Sequence, residues 1–113
     1  MQEPTFLVLT ALVDGPQHGY GLLQLVEQIS VQRVRLRVGT LYAVLDRLAA
    51  ESLVEVVGED VVNGRARRTY ALTSDGLSAL DREADRMATL VKVARARMSR
   101  RAATSRPARA VTP

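Results

Sequence analysis

Apolar and polar positions alternate with different periods along this chain, and the periods predict its elements. Leu41, Leu45 and Leu48 recur at i, i+4 and i+7, one face of a helix over about 39–50. Away from that face lie Thr40, Ala43 and Arg47, with Arg33, Arg35 and Arg37 just upstream. The period then shortens. Leu53-Val54-Glu55-Val56-Val57 is rich in β-branched residues and reads as a strand. A loop over 58–66 follows, with the turn dipeptide Asn63-Gly64, and a return strand over 67–72. In that strand Arg68, Tyr70 and Leu72 share one face, and Arg67, Thr69 and Ala71 the other.

Upstream, residues 5–13 are apolar nearly all round, which predicts a helix buried on several sides. Pro4 suits its start, and Asp14-Gly15-Pro16 stops it, with Gly15 placed for a left-handed C-cap. A second helix runs from Gln17-His18-Gly19-Tyr20-Gly21 to about Ile29, burying Leu22, Leu25, Val26 and Ile29. Residues 30–37 connect it to the third, with Val31, Val34 and Leu36 turned inward. Arg37-Val38 is a poor cap sequence, which leaves Gly39 or Thr40 to start the third helix.

Thr73-Ser74-Asp75-Gly76 opens the last helix, with Thr73 as N-cap. Leu77, Leu80, Ala84, Met87, Val91, Ala94 and Met98 then step 3, 4, 3, 4, 3, 4, and Leu90 widens the stripe. A helix of about 22 residues is about 33 Å long. That exceeds what so small a domain covers, and a second copy of the chain is the simplest partner for the rest. Residues 99–113 are Arg, Ala, Ser, Thr and Pro without an apolar period, and read as a disordered basic tail. The order helix, helix, helix, strand, strand, long helix is mostly α with a small β-hairpin. It predicts an α+β winged helix-turn-helix over 1–73, a dimerisation helix over 74–98 and the tail.

Composition trims the alternatives. At 113 residues and 47% hydrophobic, the chain is a single folded domain. No apolar run approaches the roughly 20 residues that span a bilayer. Met1-Gln2-Glu3-Pro4 lacks the basic start of a signal peptide. With no cysteine, thiolate metal sites and disulfides are excluded, and the expected setting is cytoplasmic. The net charge of +4 is local: residues 1–98 balance at 12 acids and 12 bases, and the excess is Arg100, Arg101, Arg106 and Arg109. Clustering of arginine therefore matters more than overall basicity.

The candidate chemistry is DNA recognition. Thr40, Tyr42, Ala43 and Arg47 lie on or beside the free face of the third helix. There Arg47 has the reach for guanine O6/N7, and Thr40 suits a phosphate or a thymine methyl. Arg35 and Arg37 precede the helix, and Arg65, Arg67 and Arg68 stand on the wing, suited to phosphates or a narrow minor groove. The plain alternative for each arginine is a solvated charge. Tyr42 and Tyr20 each read equally as packing residues and as backbone contacts; Tyr70, alternating with Leu72, reads as core. His18 is the sole histidine, so it forms no metal cluster, and its place is the start of the second helix. Gly19-Tyr20-Gly21 has no Lys-Ser/Thr after it and is no phosphate loop. No catalytic constellation occurs, and neither an enzyme nor a cofactor is expected.

His18-Gly19-Tyr20-Gly21, Gly39-Thr40-Leu41-Tyr42 with Leu45 and Arg47-Leu48, Leu53-Val54, Arg67-Arg68, then Tyr70, Leu72, Thr73 and Gly76 occur in an order and spacing that resembles the PadR-like transcriptional regulators, specifically small members with one C-terminal helix. The resemblance covers about residues 5–80. It implies a homodimeric repressor with helix 39–50 in the major groove and wing 58–67 on the DNA backbone. It also implies a dimer made by the C-terminal helix (Leu77, Leu80, Ala84, Met87, Leu90, Val91, Ala94, Met98) with the partner's first helix, which adds Phe6 and Leu9. The family often has Ser and Pro in place of Arg37 and Val38, Pro in place of Ala43, and Gly in place of Ser52. The implied partners are double-stranded DNA with a pseudo-palindromic operator and a second copy of the chain. A small-molecule effector between subunits would find Phe6 as its one aromatic candidate. Two rivals stand beside this reading: a winged helix that docks a protein, and nonspecific nucleic-acid binding by the tail alone.

Overall fold

A computed structural model describes residues 1–105. Helix α1 spans Glu3–Ala11, with Pro4 in its first turn, where a missing N–H leaves no bond unmade. Leu7, Val8, Leu9, Ala11 and Leu12 are buried, so this apolar element is the centre of the core. Gly15 stands at φ 150, an extended mirror conformation rather than the expected left-handed cap. The chain then forms β1 (Gln17–His18), a two-residue strand that no sequence period announces.

His18 turns from strand to helix. Its Nδ1 accepts a hydrogen bond from the Gly21 N–H at 3.2 Å, capping α2 (Gly19–Ile29) as a side-chain oxygen would. Leu22 and Val26 are fully buried, but Ile29 is half-exposed at the helix end. The helix closes in a Schellman turn: the Val31 N–H bonds the Gln28 carbonyl and the Gln32 N–H the Glu27 carbonyl. Val31 and Gln32 both take positive φ, 54 and 63. This left-handed pair throws Val31 into solvent at 80% exposure, contrary to the inward position expected of it; Val34 and Leu36 do pack on the core. Ser30 stitches the turn, its Oγ accepting from the Val34 N–H at 3.0 Å.

Helix α3 spans Val38–Ala50 and buries Leu41, Val44, Leu45 and Leu48. Its cap position is Arg37, not Gly39 or Thr40, and no side chain bonds the first N–H groups. It too ends in a Schellman turn, Leu53 N–H to Leu48 carbonyl at 2.9 Å, with Ser52 at φ 60 where glycine would be relaxed.

Strands β2 (Val54–Val62) and β3 (Arg65–Leu72) form a longer hairpin than the period suggested, closed by Asn63-Gly64 alone, both at positive φ. The stretch 58–62 reads as loop because Gly, Glu and Asp are poor strand formers. Opposite them stand Thr69, Arg68 and Arg67, and charge pairs across the ladder replace propensity. Val57 is an extra residue between the Val56–Tyr70 and Gly58–Thr69 pairs, a β-bulge. Strand β1 adds to β3, giving the antiparallel order β1-β3-β2.

Helix α4 spans Ser74–Ser105. Thr73 caps it as expected: its Oγ accepts from the Gly76 N–H at 3.0 Å and donates to the Ser52 carbonyl at 2.7 Å. Gly76 lies so close to the hairpin base that a Cβ there would fall 2.0 Å from the Leu53 carbonyl oxygen. The helix continues through 99–105, which were expected to be disordered. Arginine and alanine are strong helix formers, and no Pro or Gly interrupts them before Pro107; a missing apolar period removes the packing partner, not the helix. The remainder of the expected tail, 106–113, lies outside the described residues. Residues 1–83 form one compact unit and the chain from Ala84 a second.

Candidate nucleic-acid interface

Four leucine and valine side chains fasten one side of α3 to the core and so decide which side is free. Gly39, Ala43, Asp46 and Ala50, spaced four, three and four residues apart, are all exposed and face away from Leu41, Val44, Leu45 and Leu48. The free face is thus nearly smooth, with a single hydrogen-bonding side chain, Asp46. Sequence reading passed over that residue, although its step from Ala43 would have located it.

Tyr42 flanks this face, packed on one side and exposed on the other. Its phenol covers Gly19 at the start of α2, where a Cβ would come 2.5 Å from the hydroxyl oxygen, yet 42% of the residue remains exposed. Tyr20, at 68% exposure, is free on α2. Arg47 does not lie on the reading face. Its guanidinium turns back to α1 and donates to the Thr5 hydroxyl, lining a cleft with Met1, Gln2, Leu48, Glu51 and Leu53. Arg47 follows Asp46 on the flank of that face and stays exposed, and Thr5, buried in α1, supplies the acceptor.

The N-terminus of α3 is open. The absence of a side-chain cap leaves the N–H groups of its first turn, including those of Gly39 and Thr40, free of intrahelical partners, and Thr40 and Arg37 are exposed beside them. Helix dipole and free N–H groups together suit a phosphate.

The hairpin tip is an acid–base ladder. Arg67 makes a two-pronged bond to Asp60, Nε to Oδ1 at 3.0 Å and Nη2 to Oδ2 at 2.8 Å, and Arg68 meets Glu59 at 3.7 Å. The Arg67 guanidinium holds the Asp60 carboxyl below the usual carboxylate value, and Arg67 is raised in return. Arg35, on the connector, is paired with Glu27 at 3.1 Å. Of the expected DNA-contacting arginines, Arg37 and Arg65 make no ion pair or side-chain hydrogen bond among the described residues. A shallow groove of about 410 Å³ joins helix and wing, lined by Tyr42, Asp46, Glu59, Ala66, Arg68 and Tyr70.

The residues expected at a dimer interface divide. Leu9 is wholly buried in its own chain and Leu80 nearly so; both belong to the core, because the first turns of α4 are consumed by the fold. Phe6 is partly buried against that core. Leu77, Met87, Leu90, Val91 and Met98 are exposed large apolar residues, and Ala84 and Ala94 are exposed with them. Among the described residues no acid–His cluster could hold a metal, and no helix is long and apolar enough to cross a membrane.

Comparison with known proteins fits this geometry. The chain is 46% identical over 88 residues to a 37.1 kDa protein of unassigned function in a transposon of Streptomyces fradiae, 78% of this chain but 24% of that one. It is 41% identical over 73 residues to a transcriptional regulator of Mycobacterium tuberculosis, covering 65% of this chain and 64% of the relative. The chain thus spans less than two thirds of either relative. The structure of Bacillus subtilis PadR in complex with operator DNA superposes with a TM-score of 0.63 at 20% identity, over 72% of this chain and 46% of that one. The fold is therefore the winged helix seen there. Residues 8–82 match the transcriptional regulator PadR-like family, and the chain belongs to that family, whose members are regulators of transcription rather than enzymes.

Proposed function

We propose that this protein is a sequence-specific DNA-binding regulator, a homodimer that represses by occupying a pseudo-palindromic operator. One observation carries the reading: a helix fastened by four buried residues presents a smooth free face, an uncapped N-terminus and an adjoining hairpin tipped by Arg65. Such a helix can approach base edges closely, while Arg37, Arg65, Thr40, Tyr20 and the first-turn N–H groups take phosphates. Arg35, Arg67 and Arg68 reach phosphates after exchanging their carboxylate partners. Water screens exposed pairs of this kind, so the exchange is easy. Ala43 at the centre of the face suits a thymine methyl.

The apolar residues of α4 beyond Leu80 support the dimer, since a lone helix with Met87, Leu90, Val91 and Met98 in water has no reason to keep that stripe. In the assembly two copies of α3 would stand about 34 Å apart, one turn of DNA.

The test is fluorescence anisotropy with duplex DNA from upstream of the protein's own coding region, in a salt series, against an unrelated duplex. A site-specific complex that weakens as salt rises, with a slope reduced by about one for Arg37→Ala, supports the reading. Equal affinity for both duplexes refutes it. That result favours the rival in which the helix–wing groove docks a protein, a reading to which the charge-paired wing lends some support.

A further inference from the structure

Asp46 is an anomaly for a DNA-facing helix. It sits in the middle of the free face of α3, exposed, and makes no hydrogen bond or ion pair among the described residues. Its neighbours on that face, Gly39, Ala43 and Ala50, have no polar side-chain atoms, and Arg47, the nearest cation in sequence, is turned to Thr5. The groove beside it holds a second carboxylate, Glu59, which is engaged by Arg68. A bare carboxylate amid phosphates is repelled unless the base edge before it offers hydrogen.

We infer that Asp46 is the base-discriminating side chain of this interface, and that it selects cytosine. The inference rests on the DNA-binding reading above. An ionised carboxylate only accepts hydrogen bonds. In the major groove guanine presents N7 and O6, both acceptors, and thymine presents O4 and a methyl group. Adenine offers an N6 amino group, but its N7 acceptor lies beside it. Cytosine presents the N4 amino group with no acceptor adjacent on its own edge. It is the one base against which Asp46 is satisfied rather than repelled. Discrimination then works mainly by rejection: any other base leaves a desolvated charge unpaired. The smooth alanine and glycine surroundings help, because they let the backbone of α3 sink until this short side chain reaches the base edge.

The experiment is selection from a random duplex library with the wild type, Asp46→Ala and Asp46→Asn, followed by anisotropy on the enriched duplexes. The wild type is expected to enrich a motif with a cytosine fixed at one position in each half-site. Replacing that cytosine weakens wild-type binding about 5- to 150-fold, the equivalent of 1–3 kcal/mol for one base contact. In Asp46→Ala that position loses its preference and binding to random duplex strengthens, since a repulsive charge is gone. In Asp46→Asn the preference moves to adenine, whose N6 and N7 pair with an amide. Identical motifs for the wild type and Asp46→Ala overturn the assignment while leaving DNA binding intact. Failure of the wild type to enrich any motif overturns the assignment and the DNA-binding reading together. Asp46 is exposed, so circular dichroism of the variants should match the wild type, and any loss of preference then reports on the contact.

Discussion

Two sets of apolar residues in this chain obey helical spacing and meet opposite fates. Leu41, Leu45 and Leu48 of α3 are wholly buried within the unit 1–83. Met87, Leu90, Val91 and Met98 of α4 lie in the second unit, where every described side chain is exposed in the single chain. Periodicity announces that a face wants cover; it does not say who covers it. Leu80 marks the boundary, since it belongs by spacing to the second set and by burial to the first. The contrast predicts two kinds of stability in one molecule, one intrinsic to the fold and one that depends on concentration.

The largest effect should come from Leu9→Ala. Leu9 is at 0% exposure, so its truncation is expected to cost about 2–5 kcal/mol in urea unfolding, with the same loss at every protein concentration. A loss that shrinks as concentration rises would return Leu9 to the subunit interface and collapse the comparison. Next comes Leu90→Asp on the exposed stripe. It should raise the dimer dissociation constant at least tenfold in sedimentation, from burying a charge among apolar neighbours, while the far-ultraviolet circular dichroism of residues 1–83 is retained. An unchanged sedimentation coefficient would say that the stripe has no partner.

These two substitutions also show how far the sequence could be read. The three helices of the domain, the Asn63-Gly64 turn and the Thr73 cap follow from local chemistry, and local chemistry is what a sequence displays. Strand β1 is two residues long and exists because β3 lies beside it, which no local pattern records. Leu9 and Leu80, expected at an interface, are buried within their own chain, and no local pattern shows that, because burial depends on partners distant in sequence. At the candidate site, Arg37, Thr40, Tyr42 and Ala43 emerge where the period puts them. Arg47 differs because a hydroxyl 42 positions away on α1 captures it, which leaves Asp46 as the polar side chain of the free face.

A smaller effect should separate the two units in the opposite direction. Val31 is a β-branched residue in the left-handed region with its side chain in solvent, so nothing offsets the strain. Val31→Gly is expected to raise stability by about 1 kcal/mol, the left-handed penalty less the added freedom of the unfolded chain, and to leave association untouched. Destabilisation in thermal melts would mean that the turn is not left-handed in solution.

The smallest concerns the hairpin tip. Asp60 has a folded value below its ordinary 3.8, so the unfolded chain binds a proton first as pH falls. The contribution of its pair with Arg67 is fully present above about pH 4 to 5. It is lost only as pH drops through the lowered folded value. The amide shifts of Asp60 and Arg67 should therefore carry a component that moves only as pH falls below the ordinary carboxylate value, and that component should be absent in Asp60→Asn. An Arg67 guanidinium signal that stays unchanged as pH falls through that range would contradict the pairing.

The extra residue at Val57 has a consequence for how this hairpin can change over generations. Side chains alternate across a strand, so one inserted residue reverses the parity of everything beyond it. The base of β2 keeps its rhythm with Val54 against Leu72, and the tip keeps another, with Glu59 against Arg68 and Asp60 against Arg67. The bulge is thus a joint between two reading frames. The letters of the tip can be rewritten for a new surface without disturbing the valine that anchors the base, whereas deletion of Val57 would bring both halves of β2 into one frame, with the pairs Glu59–Arg68 and Asp60–Arg67 kept and the joint lost.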